Sequence, residues 1–168
     1  KEGIFLGILG HEIFHLLVQK GRLSKLQGGE ERLKCFIDAA ESTCADMADG
    51  ACESGVITWK EDGPDIEGAR IAFKVYEEVY AGILDKPANI GHTVTNRQLF
   101  FYALSSFHAF ADKEYMDHQL GFNGKKYDEH SASNIRSNMI FRQMEEFAEA
   151  FNCPNNAAMV QNPKCHYY

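Results

Sequence analysis

The sequence predicts a mainly α-helical protein. Three observations carry that prediction. Apolar residues recur at helical spacing, as in Ile66, Ala69, Phe73, Tyr76 and Tyr80. Thr95-Asn96-Arg97-Gln98 forms a capping-box signature before an apolar run. Strand signals are weak along the whole chain. The 168 residues, 45% of them hydrophobic and 12% aromatic, can build a core and suit one domain. Collagen, low-complexity and disordered acidic classes are thereby excluded. With 17 Lys+Arg against 24 Asp+Glu the formal charge is −7. That balance argues against nucleic acid as a partner, because phosphate binding needs a basic footprint.

The elements follow in order. Residues 3 to 19 read as a buried helix, since apolar side chains from Ile4 to Val18 cover nearly every face, and Gly21 is placed to stop it. The chain opens at Lys1 without a basic segment and cleavage site, so no signal peptide is expected. Gly3 to Val18 is too short to span a bilayer comfortably and carries Glu12. Lys25 to Glu30 reads as a loop, and Glu31 to about Ala48 as helix. The next helix is expected from about Asp62 to Leu84, with Pro64 in its first turn, where the missing N–H costs nothing. Lys86 to Val94 reads as loop, and the run from Leu99 to Phe110 as helix. Asp117 to Ser133 reads as loop, and Phe141 to Phe151 as a last helix before a Pro- and Asn-rich tail.

His11-Glu12-Ile13-Phe14-His15 places two imidazoles at i and i+4, on one helix face, where both can reach one metal ion. These are the polar side chains of an otherwise apolar stretch, and three buried polar groups cost several kcal/mol unless something satisfies them. A Zn²⁺ ion held by neutral imidazoles would do so, with Glu12 beside it as base on its water. The alternative is a pair of core histidines bonded to backbone. Catalytic zinc takes three protein ligands. Glu61 and Asp65, again i and i+4, offer a third ligand and a carboxylate for the free N–H of a ligand histidine. The alternative here is acidic residues gathered at a helix N-terminus. Asp128 and His130 offer a carboxylate-oriented imidazole able to stabilise an oxyanion. Arg136 offers bidentate recognition of a carboxylate or carbonyl. A solvated polar loop is the alternative for this group.

The chain resembles the C-terminal part of the neprilysin and endothelin-converting enzyme family of zinc metallopeptidases. Gly7 to His15 followed by Gly21-Arg22 resembles the family's zinc helix. Glu61 to Asp65, then Gly68, Ala72, Phe73 and Tyr76, resembles its downstream Glu-x-x-x-Asp helix. Gln98 to Phe101 resembles its next helix start. Asp128-x-His130-Ser131, Arg136, the run Glu146 to Cys153 and Asn162-Pro163-Lys164-Cys165 resemble its active-site loop, final helix and C-terminal signature.

The resemblance implies the helical C-terminal part of a thermolysin-like (gluzincin) catalytic domain, occupying residues 1–168, with its upstream part absent. It implies His11, His15 and Glu61 as ligands of one zinc ion and Glu12 as general base. Asp65 would be the carboxylate behind a ligand histidine. His130 would stabilise the tetrahedral intermediate, with Asp128 beside it, and Arg136 would position substrate. The implied activity is endopeptidase cleavage of extracellular peptides. The runner-up is a weak or inactive relative that binds peptides or proteins. The implied location is extracellular or at the cell surface, anchored only through an absent upstream segment.

Departures are visible. Phe14 stands where the family has a small hydroxyl residue, and Leu16-Leu17-Val18 replace a Gly-Phe-Asp run. Pro64 lies inside Glu-x-x-x-Asp, Ile66-Glu67 follow it, and the chain ends His166-Tyr167-Tyr168 where a Trp is usual. Ala109 stands about where a cysteine is common, and no glycosylation sequon occurs. Of the five cysteines, the resemblance pairs Cys35 with Cys165 and gives Cys153 a partner upstream. Cys44 and Cys52 are close enough in sequence to close a local loop.

Overall fold

The computed structural model describes residues 2–18, 25, 27–47, 52–88, 93–108 and 130–167. Among these lie helices α1 (Glu2–Val18), α2 (Gly29–Met47), α3 (Gly55–Tyr80), α4 (Asn96–His108), α5 (Ser133–Arg142) and α6 (Glu145–Ala150). The described residues hold no strand, only an isolated bridge between Pro87 and Thr95. The mainly α expectation holds.

The longest helix, α3, is the axle against which α1, α2, α4 and α5 pack. Residues 62–70 of α3 are buried without a break. That embedding explains the first correction. α3 starts at Gly55, not near Asp62, with Ser54 Oγ capping the Val56 N–H at 3.3 Å. Pro64 therefore lies in the helix interior, where the carbonyl four residues earlier, at Lys60, receives no N–H. An interior proline costs about 3 kcal/mol. Tertiary burial around the axle outweighs that penalty, as it outweighs propensity in most protein helices.

The second correction concerns α1. Its small residues, Gly7 and Gly10, face the protein with Phe14, while Phe5, Ile8, Leu9, Ile13 and Leu16 are exposed. It is not buried on every face. The third concerns the last helix, which is two helices. Ser133, the expected end of the loop, and residues 134–140, which the sequence leaves unassigned, are helical because Ile135, Met139 and Ile140 share a buried face. The break falls at buried Gln143, whose side chain accepts from Cys165 N at 2.8 Å and donates to Gln161 Oε1 at 2.9 Å. Those bonds lash the tail to the body. Gly21, the expected stop of α1, lies outside the described residues, as does most of the 117–133 loop.

The capping box forms as read. Gln98 N donates to Thr95 Oγ1 at 3.2 Å, and Thr95 N donates to Gln98 Oε1 at 3.0 Å. The core centres on Phe36, Ile66, Phe73, Phe100, Phe101, Met139, Ile140 and Met144. Edge-to-face pairs such as Phe73–Phe100, with centroids 5.1 Å apart, fasten α3 to α4.

Two disulfides tie the helices. Cys35 in α2 joins Cys165 in the tail, across 130 residues, and Cys44 joins Cys52 across 8. The long loop makes the first bond the more stabilising on chain-entropy grounds. Replacing Cys35 and Cys165 together by serine is expected to lower stability by about 5 kcal/mol. Urea denaturation checks this; an unchanged midpoint would contradict it.

Candidate metal centre

The site begins with a helix crossing. A Cβ built on Gly10 would meet Gly68 Cα at 2.8 Å, and one on Gly68 would meet His11 N at 2.5 Å. Only paired glycines let α1 lie this close on α3. The approach brings α1's histidines to the carboxylates of α3.

His11 Nδ1–H donates to Asp65 Oδ1 at 2.7 Å. That bond leaves the lone pair of His11 on Nε2. His11 Nε2 lies 3.3 Å from Glu61 Oε2, and His15 Nε2 lies 3.1 Å from the same oxygen. The two Nε2 atoms stand 2.8 Å apart. One donor atom from each of His11, His15 and Glu61 thus falls within 4.8 Å of the others. His130, on the segment leading into α5, brings its Nε2 to 3.1 Å from Glu61 Oε2. Arg136 on α5 grips Asp65 twice, through Nε to Oδ2 at 2.6 Å and Nη2 to Oδ1 at 2.8 Å. Glu12, next to His11, is exposed on the outer side of α1. Asp128 lies outside the described residues.

Electrostatics follow this wiring. Burial pushes Asp65 up, but the Arg136 charge and the His11 bond hold it well below the usual carboxylate range. Burial likewise opposes ionisation of Glu61, and hydrogen bonds from His11 and His130 overcome it, holding it low. Burial pulls the His11 imidazole down, yet its bonds to Asp65 and Glu61 prevail and raise it to about 9. A proton and a metal ion therefore compete for His11 Nε2. In the metal-free protein the raised value stabilises the fold fully below the unfolded histidine range, and that gain is lost as pH rises through about 9. Metal binding runs the other way. Apparent zinc affinity is expected to rise roughly tenfold per pH unit between about pH 6.5 and 8.5, because one proton must leave. Chelator competition at several pH values measures this; a flat profile would contradict it.

A sequence profile of peptidase family M13 matches residues 3–167. The chain belongs to peptidase family M13. It is 25% identical to neprilysin of Oryctolagus cuniculus, over 96% of this chain and 23% of that protein. It is 27% identical to Neprilysin-1 of Caenorhabditis elegans, over 94% of this chain and 22% of that protein. Its fold matches the crystal structure of the Mycobacterium tuberculosis zinc metalloprotease Zmp1 in complex with inhibitor. The TM-score is 0.71, at 21% identity, over all of this chain and 28% of that one. The M13 chain thus spans about a quarter of the length of these relatives.

Two of its departures from the family pattern meet in the core. Phe14 is buried and stacks on Tyr167, centroids 5.9 Å apart, and Tyr167 also packs on Phe36 at 4.5 Å. The bulky residue of α1 is thus taken up by the core. Pro64, between them in sequence, leaves both Glu61 and Asp65 in reach of His11. Two polar groups escaped the sequence reading. Asp62 passes there for one more acid at a helix start. With α3 beginning at Gly55, it is instead deep in the helix, fully buried, and bonded to Ser131. Glu67, also fully buried, accepts from Tyr167 N at 3.0 Å and lies 3.3 Å from Arg70. No local pattern distinguishes either from a surface acid.

Proposed function

We propose that this M13 chain carries the metal centre of a zinc metalloendopeptidase that hydrolyses extracellular peptides. The observation that supports it most is the convergence of His11 Nε2, His15 Nε2 and Glu61 Oε2. Two imidazole nitrogens and one carboxylate oxygen are a donor set that fits catalytic zinc, which takes three protein ligands and keeps a position open. His11, His15 and Glu61 would hold one Zn²⁺. The bound ion supplies Lewis acidity toward a carbonyl and acidifies water.

The chain's own residues do the rest. Glu12 takes a proton from the attacking water and returns it to the leaving amine. Asp65 fixes the His11 tautomer, so that Nε2 faces the metal. Arg136 keeps Asp65 ionised through its two bonds, and reaches substrate only with the end of its guanidinium turned from Asp65. His130 donates from Nε2 to the oxyanion of the tetrahedral intermediate. Asp128, outside the described residues, is assigned to orienting His130 on the family resemblance alone. Two disulfides agree with an oxidising, extracellular setting. The rest of the substrate cleft, and the partner of Cys153, are assigned to polypeptide matching the other three-quarters of the relatives' length.

Zinc content and peptide cleavage, compared for the wild type and Glu12→Gln in the full ectodomain, which supplies the rest of the cleft, test this reading. Stoichiometric zinc with turnover lost in the variant supports it. Zinc without wild-type turnover on a broad peptide library favours a binding relative. Absence of zinc overturns both.

A further inference from the structure

Ser131 Oγ donates to Asp62 Oδ2 at 3.0 Å. Asp62 is fully buried and Ser131 nearly so. Each is the chain neighbour of a residue already placed at the metal centre, since Asp62 follows Glu61 and Ser131 follows His130. The contacts follow the same order along both segments. His130 meets Glu61 at 3.1 Å, Ser131 meets Asp62, and Arg136 meets Asp65 at 2.6 Å. The first and last contacts involve groups with roles in hydrolysis. The middle one touches neither the donor atoms nor the outer face of Glu12. Burying a carboxylate is costly unless it is bonded, and Asp62 is held by the side chains of Thr58, one turn earlier on α3, and Ser131. So expensive a group calls for an account other than packing.

We infer that Asp62 is a positioning residue that acts through Ser131 to hold His130 over Glu61. The inference rests on the peptidase reading for its consequence in turnover, but not for its geometry. His130 is on a segment with little regular structure, between undescribed residues and the start of α5. Its ring is about two-fifths exposed, so packing alone holds it loosely. A bond at the next residue, made to a rigid and buried helix, fixes the backbone from which the ring projects. A misplacement of about 1 Å in such a group lowers rates by about a hundredfold.

The test uses Ser131→Ala, Asp62→Ala and Asp62→Asn in the zinc-loaded full ectodomain, which supplies the rest of the cleft. Three readouts are taken: zinc affinity by chelator competition, amide hydrogen exchange of residues 130–132, and kcat with KM on a short peptide. Ser131→Ala is expected to keep zinc affinity within about threefold, to speed exchange at 130–132 at least tenfold, and to lower kcat about tenfold or more with KM little changed. Asp62→Asn retains an acceptor for the Ser131 hydroxyl, and is expected to recover both exchange protection and kcat relative to Asp62→Ala. A purely structural role predicts loss of stability in Asp62→Ala without recovery of kcat by asparagine. Wild-type exchange at 130–132 in Ser131→Ala overturns the inference. If the wild type shows no turnover, the peptidase reading fails instead, and the exchange result still decides this one. Should Asp62→Ala fail to fold, Ser131→Ala alone is decisive.

Discussion

Glu12→Gln is expected to remove peptide hydrolysis while leaving the metal in place. Glutamine matches glutamate in size but cannot take a proton. Among the described residues the converging Nε2 atoms meet Glu61 and each other, not Glu12. Its side chain is exposed on α1, so the swap leaves the core intact. A positioned general base contributes roughly 10²–10⁴-fold, and the loss should appear in kcat. The measurement is kcat on a peptide substrate beside the zinc-to-protein ratio of the same sample. Full turnover by a zinc-loaded variant would show that another group serves as base.

His15→Ala is expected to abolish tight zinc binding. Structural zinc binding is worth about 10–16 kcal/mol over its full ligand set, so one ligand of three accounts for about 3–5 kcal/mol, or roughly 10²–10⁴-fold in affinity. His15 is the cleaner choice than His11. The His11 ring also bonds Asp65, and its removal would strand a buried carboxylate with Arg136. Among the described residues the His15 ring is bonded at Glu61 and His11, and it is partly exposed. Loss of zinc should therefore come without unfolding. The thermal shift produced by added zinc reads this directly, because a ligand stabilises in proportion to the logarithm of its concentration over its dissociation constant. A variant stabilised by zinc as strongly as the wild type would remove His15 from the donor set.

The legible part of the site was the part written at fixed local spacing. His11, Glu12 and His15 announce themselves because an α-helix turns their separation into a shared face. Glu61 and Asp65 share that logic one helix later. The capping box at Thr95 was legible for the same reason, since its two bonds lie within one turn. Pro64 was misread because the local rule for proline places it at a helix start. The rule lost to the burial of α3, which no local count registers. The α5 helix was missed because its buried face, with Ile135, Met139 and Ile140, sits among serines and asparagines of low helix propensity.

What the sequence determined alone is the chemistry on offer: which side chains can bind metal, move a proton or carry a disulfide, and which helices hold them. What the tertiary structure decided is which of these meet. Gly10 and Gly68 mean nothing singly, yet together they let α1 settle on α3 so that His11 reaches Asp65. Asp62 reads as a surface acid until the axle buries it and hands it Ser131, across 69 residues. Helical periodicity repeats every few residues and can be read from a string. Contacts between distant segments depend on the packing of whole helices, where backbone closeness and burial are settled together and only in three dimensions.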